Sequence, residues 1–371
     1  MKISIEKNLI YKSLSHVQSI VEKKNTIPIL SNILLEATDS SLILSATDMD
    51  ISITVTIECS VIEKGSVTVP AHTLYDIVRK IPDGNEIEFI ANDGKTFSIR
   101  SGKSKFSLSC LPKEDFPLIE IDKLDCEFSL NPNIFLKLIE KTRFAISNEE
   151  TRYFLNGIYF HKKNINNVDC LSLVATDGHR LAKIDFPHPK GLIDLPGVII
   201  PKKTIYELCK LLTEITEDVV INVDPNKIIF YFDKTVLVSK LIDGNFPDYQ
   251  RVIPKNNNNI VIAERQKFCE AVDRVSTITS EKSKAIKFKL LKNLINMNSS
   301  DPEAGTASED IIVQYEGQEI EIGFNSKYIL EIINQLQDGK LILEFNDSNS
   351  PLIIKESSNN DLIYVLMPMR V

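Results

Sequence analysis

The chain has 371 residues, 43% of them hydrophobic and 25% charged, with a formal net charge of −8. That length predicts two or three domains with real cores, and no stretch reaches the roughly 20 apolar residues of a membrane span, so no membrane-spanning helix is expected. The opening MKISIEKNLIYKS lacks the pattern of a secretory leader, and six scattered cysteines without a CxxC pair suit a reducing cytoplasm, with the thiols as small core fillers.

The first predicted helix carries Leu14, Val17 and Val21 at a spacing of three to four. Alternating strands follow, as in Ile51-Ser52-Ile53-Thr54-Val55, and then SVTVPAHTLYDIVRKIPDGNEIEF, read as strand, turn, helix, acidic turn and strand. Phe106 to Ser109 alternates again. Asn131-Pro132 predicts a helix cap with proline at the first helical position, ahead of Phe135, Leu138, Thr142 and Ala145. The strand–helix–strand pattern returns in GVIIPKKTIYELCKLLTEITEDVVINV. The polar run Lys255 to Asn259 reads as a linker. Beyond it come a helix with Phe268, Val272, Val275 and Ile278, a small acidic stretch from Ser299 to Ser308 read as a surface loop, and a strand through Ile311-Ile312-Val313. The pattern appears once more in EIGFNSKYILEIINQLQDGKLILEF.

Pro70, Pro201 and Asn325 hold equivalent places in the three segments, 131 and 124 residues apart. Ala46-Thr47-Asp48 returns as Ala175-Thr176-Asp177, and Phe116-Pro117 as Phe246-Pro247. A period this long is too long for a solenoid and is the size of a domain. Three similar domains are predicted, 1–125, 126–255 and 256–371. Each is α+β, opening with a helix, with two helices packed on antiparallel sheets. Charge is segregated as well: the six predicted helical segments sum to +10 and everything else to −18. Such a molecule can present one positive surface while staying soluble.

Ala175-Thr176-Asp177-Gly178-His179-Arg180-Leu181-Ala182 brings an acid, a histidine and an arginine together, as a hydrolase would. Asp-Gly between two apolar runs signals a hairpin with a type I′ turn, and no nucleophile motif accompanies it. Walker A and GxGxxG patterns are missing, and the five histidines show no ligand spacing. No catalytic residue, no metal and no cofactor is expected. The apolar end Tyr364-Val365-Leu366-Met367-Pro368-Met369-Arg370-Val371 admits two readings. It is a last strand within a sheet, or its methionines line an adaptable groove for peptides.

ATDGHRLA, the segment Asp243-Gly244-Asn245-Phe246-Pro247-Asp248-Tyr249-Gln250-Arg251-Val252-Ile253-Pro254 and the terminal MPMR together resemble the bacterial sliding clamps, the beta subunits of DNA polymerase III. Thr26-x-Pro28-Ile29-Leu30-Ser31-Asn32 and Arg152-Tyr153-Phe154-Leu155-Asn156-Gly157 add to the likeness, which spans the chain. It implies three domains per chain and a ring closed by a head-to-tail homodimer, with helices toward double-stranded DNA. The implied function is non-catalytic: to encircle DNA without sequence preference and keep the polymerase processive. The implied partners are the polymerase III alpha subunit, the clamp loader, and other polymerases and repair proteins carrying short peptide motifs.

The likeness also implies a peptide cleft formed by Leu155, Thr176, Gly178, His179, Arg180, Leu181, Pro247, Arg251, Val252, Val365, Met367, Pro368, Met369 and Arg370. Lys24, Tyr153, Lys202 and Lys203 would face DNA, and Phe106, Leu108 and Ile278 would form the dimer interface. Lys24 stands where arginine is common, and the loop at Asn148-Glu149 also departs from the family pattern. The basic Arg100–Lys105 segment opposes Asp301, Glu303, Glu309 and Asp310, which favours head-to-tail pairing. A clamp-like scaffold that binds peptides without sliding on DNA is the alternative, against which stands the basic character of five of the six helices.

Overall fold

The structure, a computed structural model, describes the chain apart from residues 93, 118–125, 188, 190, 193–194, 281–283 and 371. The boundary expected near Leu124-Asp125 and the terminal Val371 lie outside the described residues. Repeat one begins with β1 (Lys2–Glu6), α1 (Lys7–Ile20), β2 (Asn32–Ala37), β3 (Ser41–Thr47), β4 (Ile51–Glu58) and β5 (Ser60–Glu63). It continues through β6 (Gly65–Pro70), α2 (Ala71–Lys80), β7 (Glu86–Ala91), β8 (Thr96–Ser101) and β9 (Ser104–Ser109). Repeat two has β10 (Cys126–Leu130), α3 (Pro132–Arg143), β11 (Gly157–Ile165), β12 (Val168–Thr176) and β13 (Arg180–Pro187). Then come β14 (Val198–Pro201), α4 (Lys202–Leu212), β15 (Val219–Val223), β16 (Lys227–Phe232) and β17 (Thr235–Lys240). Repeat three has β18 (Asn259–Glu264), α5 (Arg265–Ser276), β19 (Ala285–Leu291), β20 (Leu294–Asp301) and β21 (Gly305–Ile312). It ends with β22 (Ile320–Asn325), α6 (Ser326–Ile333), β23 (Lys340–Phe345), β24 (Leu352–Glu356) and β25 (Asn359–Leu366).

Each repeat therefore opens with a strand, not with the helix read from the sequence. β1 (KISIE) and β10 (CEFSL) are too short for their alternation to stand out beside the helix that follows. The stretch from Ser299 to Ser308, expected as a loop, is the hairpin of β20 and β21. Its outer strand buries little, so its residues are small and acidic, and hydropathy alone gives no strand signal. Ile278 lies beyond the end of α5 instead of on it, since Thr277 caps that helix. The linker is pinned: the Asn257 amide donates to the carbonyls of Glu344 (2.7 Å) and Pro351 (2.9 Å).

Local chemistry accounts for the elements. β4 alternates ISITVTIE with Ile51, Ile53, Val55 and Ile57 buried, the mark of one solvated face. Asn131 Oδ1 accepts from Asn133 N at 3.1 Å, so the cap expected before Pro132 is made. Asn325 caps α6 by accepting from Lys327 N at 3.0 Å. The prolines at the equivalent positions 70 and 201 have no side chain able to do this.

The chain resolves into two compact units, residues 1–136 with 189–196 and 203–241, and residues 137–188 with 197–202 and 242–371. In the first, a five-stranded sheet runs β5-β1-β7-β8-β9 and an eight-stranded sheet β10-β15-β16-β17-β4-β3-β2-β6. Phe135 packs on Phe230 at 6.0 Å in its core, and Tyr11 of α1 stacks on Tyr75 of α2 at 5.5 Å. In the second, the eight-stranded sheet is β14-β11-β12-β13-β25-β24-β23-β18 and the four-stranded one β21-β20-β19-β22. A run of rings, Phe268, Phe288, Phe324 and Phe345, fills its core at centroid spacings of 5.7, 5.7 and 6.4 Å. Both large sheets cross a repeat boundary. In one, β17 of repeat two joins β4 of repeat one; in the other, β25 of repeat three joins β13 of repeat two. The same two places in the repeat, β9 and β21, end their sheets.

Candidate functional site

The turn between the third and fourth strands of each repeat is built alike. Asp48 Oδ1 accepts from the amides of Asp50 and Ile51 at 2.9 and 2.8 Å. Asp177 Oδ1 accepts from His179 and Arg180 at 2.9 and 3.0 Å, and Asp301 Oδ1 from Glu303 and Ala304 at 2.9 Å each. Only the first two were legible as a repeated Ala-Thr-Asp; the third reads Ser299-Ser300-Asp301. In repeat two, three residues, Asp177, Gly178 and His179, join β12 to β13. Gly178 alone among them has a positive φ, +88°, so the hairpin forms but its turn is not type I′. Aspartate hydrogen bonds hold it instead. Thr176 Oγ1 adds a donation to the carbonyl of Arg180 at 2.6 Å.

Leu181, at the start of β13, is buried with Val174, Tyr249 and Val365. Tyr159 stacks on Phe246 at 4.8 Å and 4° beside them, and the Tyr249 hydroxyl meets His161 Nε2 at 3.0 Å. Burial pushes the Tyr249 phenol up and the His161 imidazole down from their ordinary values. Leu155 is buried as well. Val174, Leu181, Tyr249 and Val365, with Tyr159 and Phe246 packed on them, form a floor. Above it, Gly178, His179, Pro247, Arg251 and Arg370 are exposed, Val252 is 42% and Met367 36% exposed, and Thr176, Pro368 and Met369 are half-buried. A cavity of about 420 Å³ opens between Arg251, Val252, Met367, Asn346, Ser350 and Pro351; the last three gave no sequence signal.

The chain end divides between its two readings. Through Leu366 it is a central strand, with Leu362, Tyr364, Val365 and Leu366 buried and paired to β13. Past Leu366 it leaves the sheet. Met367 N then donates to the carbonyl of His179 and Met369 N to that of Gly323, both at 2.9 Å, so the two methionines are strapped across the mouth of the turn.

Arg180 is buried and spent within the fold. Its guanidinium donates to Asp177 Oδ2 at 3.2 Å, to the Phe144 carbonyl at 2.7 Å and to Glu331. It lies over the rings of Tyr328 and Phe144 at 4.5 and 5.0 Å. His179 stacks on the same Tyr328 ring at 6.2 Å. Tyr328 and Glu331 sit on α6, where the sequence shows only an amphipathic helix.

Of the residues expected to face DNA, Lys24 is exposed and Tyr153 is 54% exposed. Lys202 Nζ donates to Asn148 Oδ1. Lys203 is paired with Asp48, lies 3.5 Å from Glu22 and donates to the Ile20 carbonyl at 3.2 Å, so most of its charge is answered locally. Among the described residues six α-helices carry 14 Lys and Arg against 6 Asp and Glu, a net of +8 that leaves −16 on the rest of the sequence. The segregation expected from the sequence holds. At the open edges, Phe106 on β9 is 39% and Ile312 on β21 88% exposed, while Leu108 and Ile278 are half-buried.

Among the described residues no group of three or more His, Cys, Asp or Glu could hold a metal ion. Three repeats, each of two helices and antiparallel strands and joined through shared sheets, define the DNA clamp fold, a binding architecture and not a catalytic one. Family models of the DNA polymerase III beta subunit match in chain order: N-terminal domain, residues 1–120; central domain, 129–248; C-terminal domain, 250–370. The beta sliding clamp of Caulobacter vibrioides (strain NA1000 / CB15N) is 45% identical over 372 residues, covering all of both chains. That of Escherichia coli (strain K12) is 34% identical, again over both full lengths. A crystal structure of a DnaN sliding clamp from Bartonella birtlesii, bound to griselimycin, superposes with a TM-score of 0.97 at 45% identity and complete coverage of both chains. The chain belongs to the DNA polymerase III beta subunit family.

Proposed function

We infer that this chain is the processivity clamp of a replicative DNA polymerase: two copies encircle duplex DNA, make or break no bond, and dock partners through short peptides. The domain limits near residues 125 and 255 belong to the same reading, as does a cytoplasmic location beside the replicating DNA.

The observation that carries the docking function is the combination of a buried apolar floor with an exposed methionine strap. Leu181 and Val365 are fixed by the sheet, while Val252 and Met367 remain accessible above them. An extended peptide laid between the turn and the strap would bury its apolar pair on this floor and turn its amides to exposed backbone. Arg251 and Arg370 are the exposed arginines able to orient it; Arg180 supports the wall from behind. The DNA-facing set proposed is Lys24, Tyr153 and Lys202, with Lys203 in a local ion-pair cluster.

Ring closure follows the rule of the internal junctions. Ile53 of β4 faces Leu237 of β17, and Ala182 of β13 faces Tyr364 of β25. Two residues before the repeated aspartate, Ala46 pairs with Ile53, Ala175 with Ala182 and Ser299 with Ala307, so the matching residue of β21 is Ala307; counted from the Phe89–Ile99 pair, the matching residue of β9 is Phe106. Phe106 of one copy would then face Ala307 of the second, Leu108 would face Gly305, and Lys103 would face Asp310.

Titration calorimetry with a synthetic peptide carrying a glutamine and an apolar pair tests the cleft. Deleting Met367 to Val371 abolishes binding with the fold intact, and Val252→Ala weakens it by about 1–3 kcal/mol, the scale of a buried interface anchor. Equal affinity for wild type and the deletion would show that the chain end serves the sheet alone.

A further inference from the structure

Arg152 lies at a break between two short turns of 3-10 helix, with φ −114° and ψ 51°, and its guanidinium reaches in two directions. Nε and Nη2 donate to Glu149 Oε2 and Oε1 at 2.8 and 2.6 Å, a forked pair that lysine cannot reproduce. Nη2 also donates to the Asp177 carbonyl at 3.1 Å. A Cβ on Gly178 would lie 2.6 Å from Nη1, so the guanidinium fills the space against the turn that carries His179. The rest of the loop is tied on the other side. Asn156 Nδ2 donates to the Glu149 carbonyl at 3.1 Å, Lys202 N donates to the Asn156 carbonyl at 3.0 Å, and Lys202 Nζ donates to Asn148. Tyr153, the next residue, is exposed. One loop thus touches both the turn of the cleft and the residues assigned to DNA. Exposed ion pairs add little to stability, so the fork is not explained by fold strength.

We propose that Arg152 is a positioning residue for peptide binding: held by Glu149, it grips the Asp177 carbonyl and seats the Gly178–His179 turn in its peptide-accepting arrangement. The proposal rests on the cleft reading above. Since the Met367 amide hangs from the His179 carbonyl, a turn released from Arg152 also loosens the strap. The fork makes Arg152 the main route by which Glu149 acts on the turn, beside a weaker charge interaction with His179.

The test is calorimetry on the full chain with the same synthetic peptide, alongside thermal melting of each variant. Arg152→Ala weakens the peptide five- to tenfold, Glu149→Gln weakens it less, and the double variant loses no more than Arg152→Ala alone. Melting temperatures stay unchanged, and Arg152→Lys, which keeps the charge without the fork, fails to restore affinity. Met367→Ala is the control. If it weakens the peptide while Arg152→Ala does not, or if the Arg152 and Glu149 losses simply add, the positioning role is overturned. A melting temperature that falls in step with affinity overturns it too, leaving Arg152 a structural support. If neither Met367→Ala nor Arg152→Ala affects the peptide, the cleft assignment itself is wrong.

Discussion

Met49 and Gly178 hold the same place in two copies of one turn. Each amide donates to a threonine hydroxyl two residues back, at 3.0 Å to Thr47 and 3.1 Å to Thr176, and both residues have positive φ, +81° and +88°. Glycine takes that conformation freely, whereas a side chain there costs about 1–2 kcal/mol. Met49 is 45% exposed, so little burial offsets the strain. Met49→Gly is therefore expected to stabilise the chain by about 0.5–1 kcal/mol once the added freedom of the unfolded glycine is subtracted. Urea unfolding followed by circular dichroism checks this; a lower midpoint would mean that the Met49 side chain has packing value. At this scale the sequence was half legible. The Ala-Thr-Asp repeat and Asp-Gly marked the hairpins, because aspartate hydrogen bonds and glycine freedom are local. That Arg180 turns inward to Glu331 and Phe144, and that Tyr328 backs His179, depends on residues brought in from distant strands and helices, and no spacing encodes that.

Among the elements, the exposed edges β9 and β21 matter most, since unpaired edges invite association. Each carries charge, Lys103 and Lys105 beside one and Glu309 and Asp310 on the other, although Glu309 is already paired with Arg274 at 2.6 Å. Arg274 also draws the Glu309 carboxyl below its ordinary range. Replacing both Phe106 and Leu108 by alanine should give folded monomers, since each truncation removes apolar contact worth roughly 2–3 kcal/mol if buried. Light scattering reads the outcome, and an unchanged dimer would remove these residues from the interface. The register has its own check. Phe106→Cys combined with Ala307→Cys should form a disulfide between copies under mild oxidation, while shifting one cysteine to Ser107 should not. The start of β21, through Ser308, reads from sequence as a loop, while its end at Ile311-Ile312 reads as a strand. The part missed, Gly305 to Ser308, is small and polar and buries little within its own chain, so hydropathy carries no signal there.

Across the whole molecule the charge is divided, +8 on the helices and −16 elsewhere. A clamp must slide, so its phosphate contacts need to be few and non-specific. Lys24→Glu together with Lys202→Glu should weaken binding to duplex DNA without altering dimerisation. The wild-type salt dependence should be shallow, with a log–log slope of about −2 for two phosphates held at once. Lys203→Glu is the wrong probe, because it would gather a third carboxylate beside Asp48 and Glu22 and disturb the fold. Retention on closed circular DNA with release on linearisation distinguishes a clamp from a peptide scaffold, and affinity that varied with base sequence would contradict sliding. The threefold repeat and the polarity of charge were readable in the sequence because both are sums over many residues. The way sheets are shared between repeats was not, since strand partners lie far apart in the chain.

That sharing sets a schedule for folding. Ile53 in β4 acquires its neighbour Leu237 only after most of repeat two has been made, and Ala182 in β13 waits in the same way for Tyr364. At ribosomal rates of about 5–20 residues per second, each wait lasts roughly 10–40 s. During it a half-apolar strand stands at the rim of an unfinished sheet, the kind of surface that aggregates or calls for a chaperone. The first repeat is thus the earliest to leave the ribosome, yet its large sheet is completed only once β17, the last strand of repeat two, has been made.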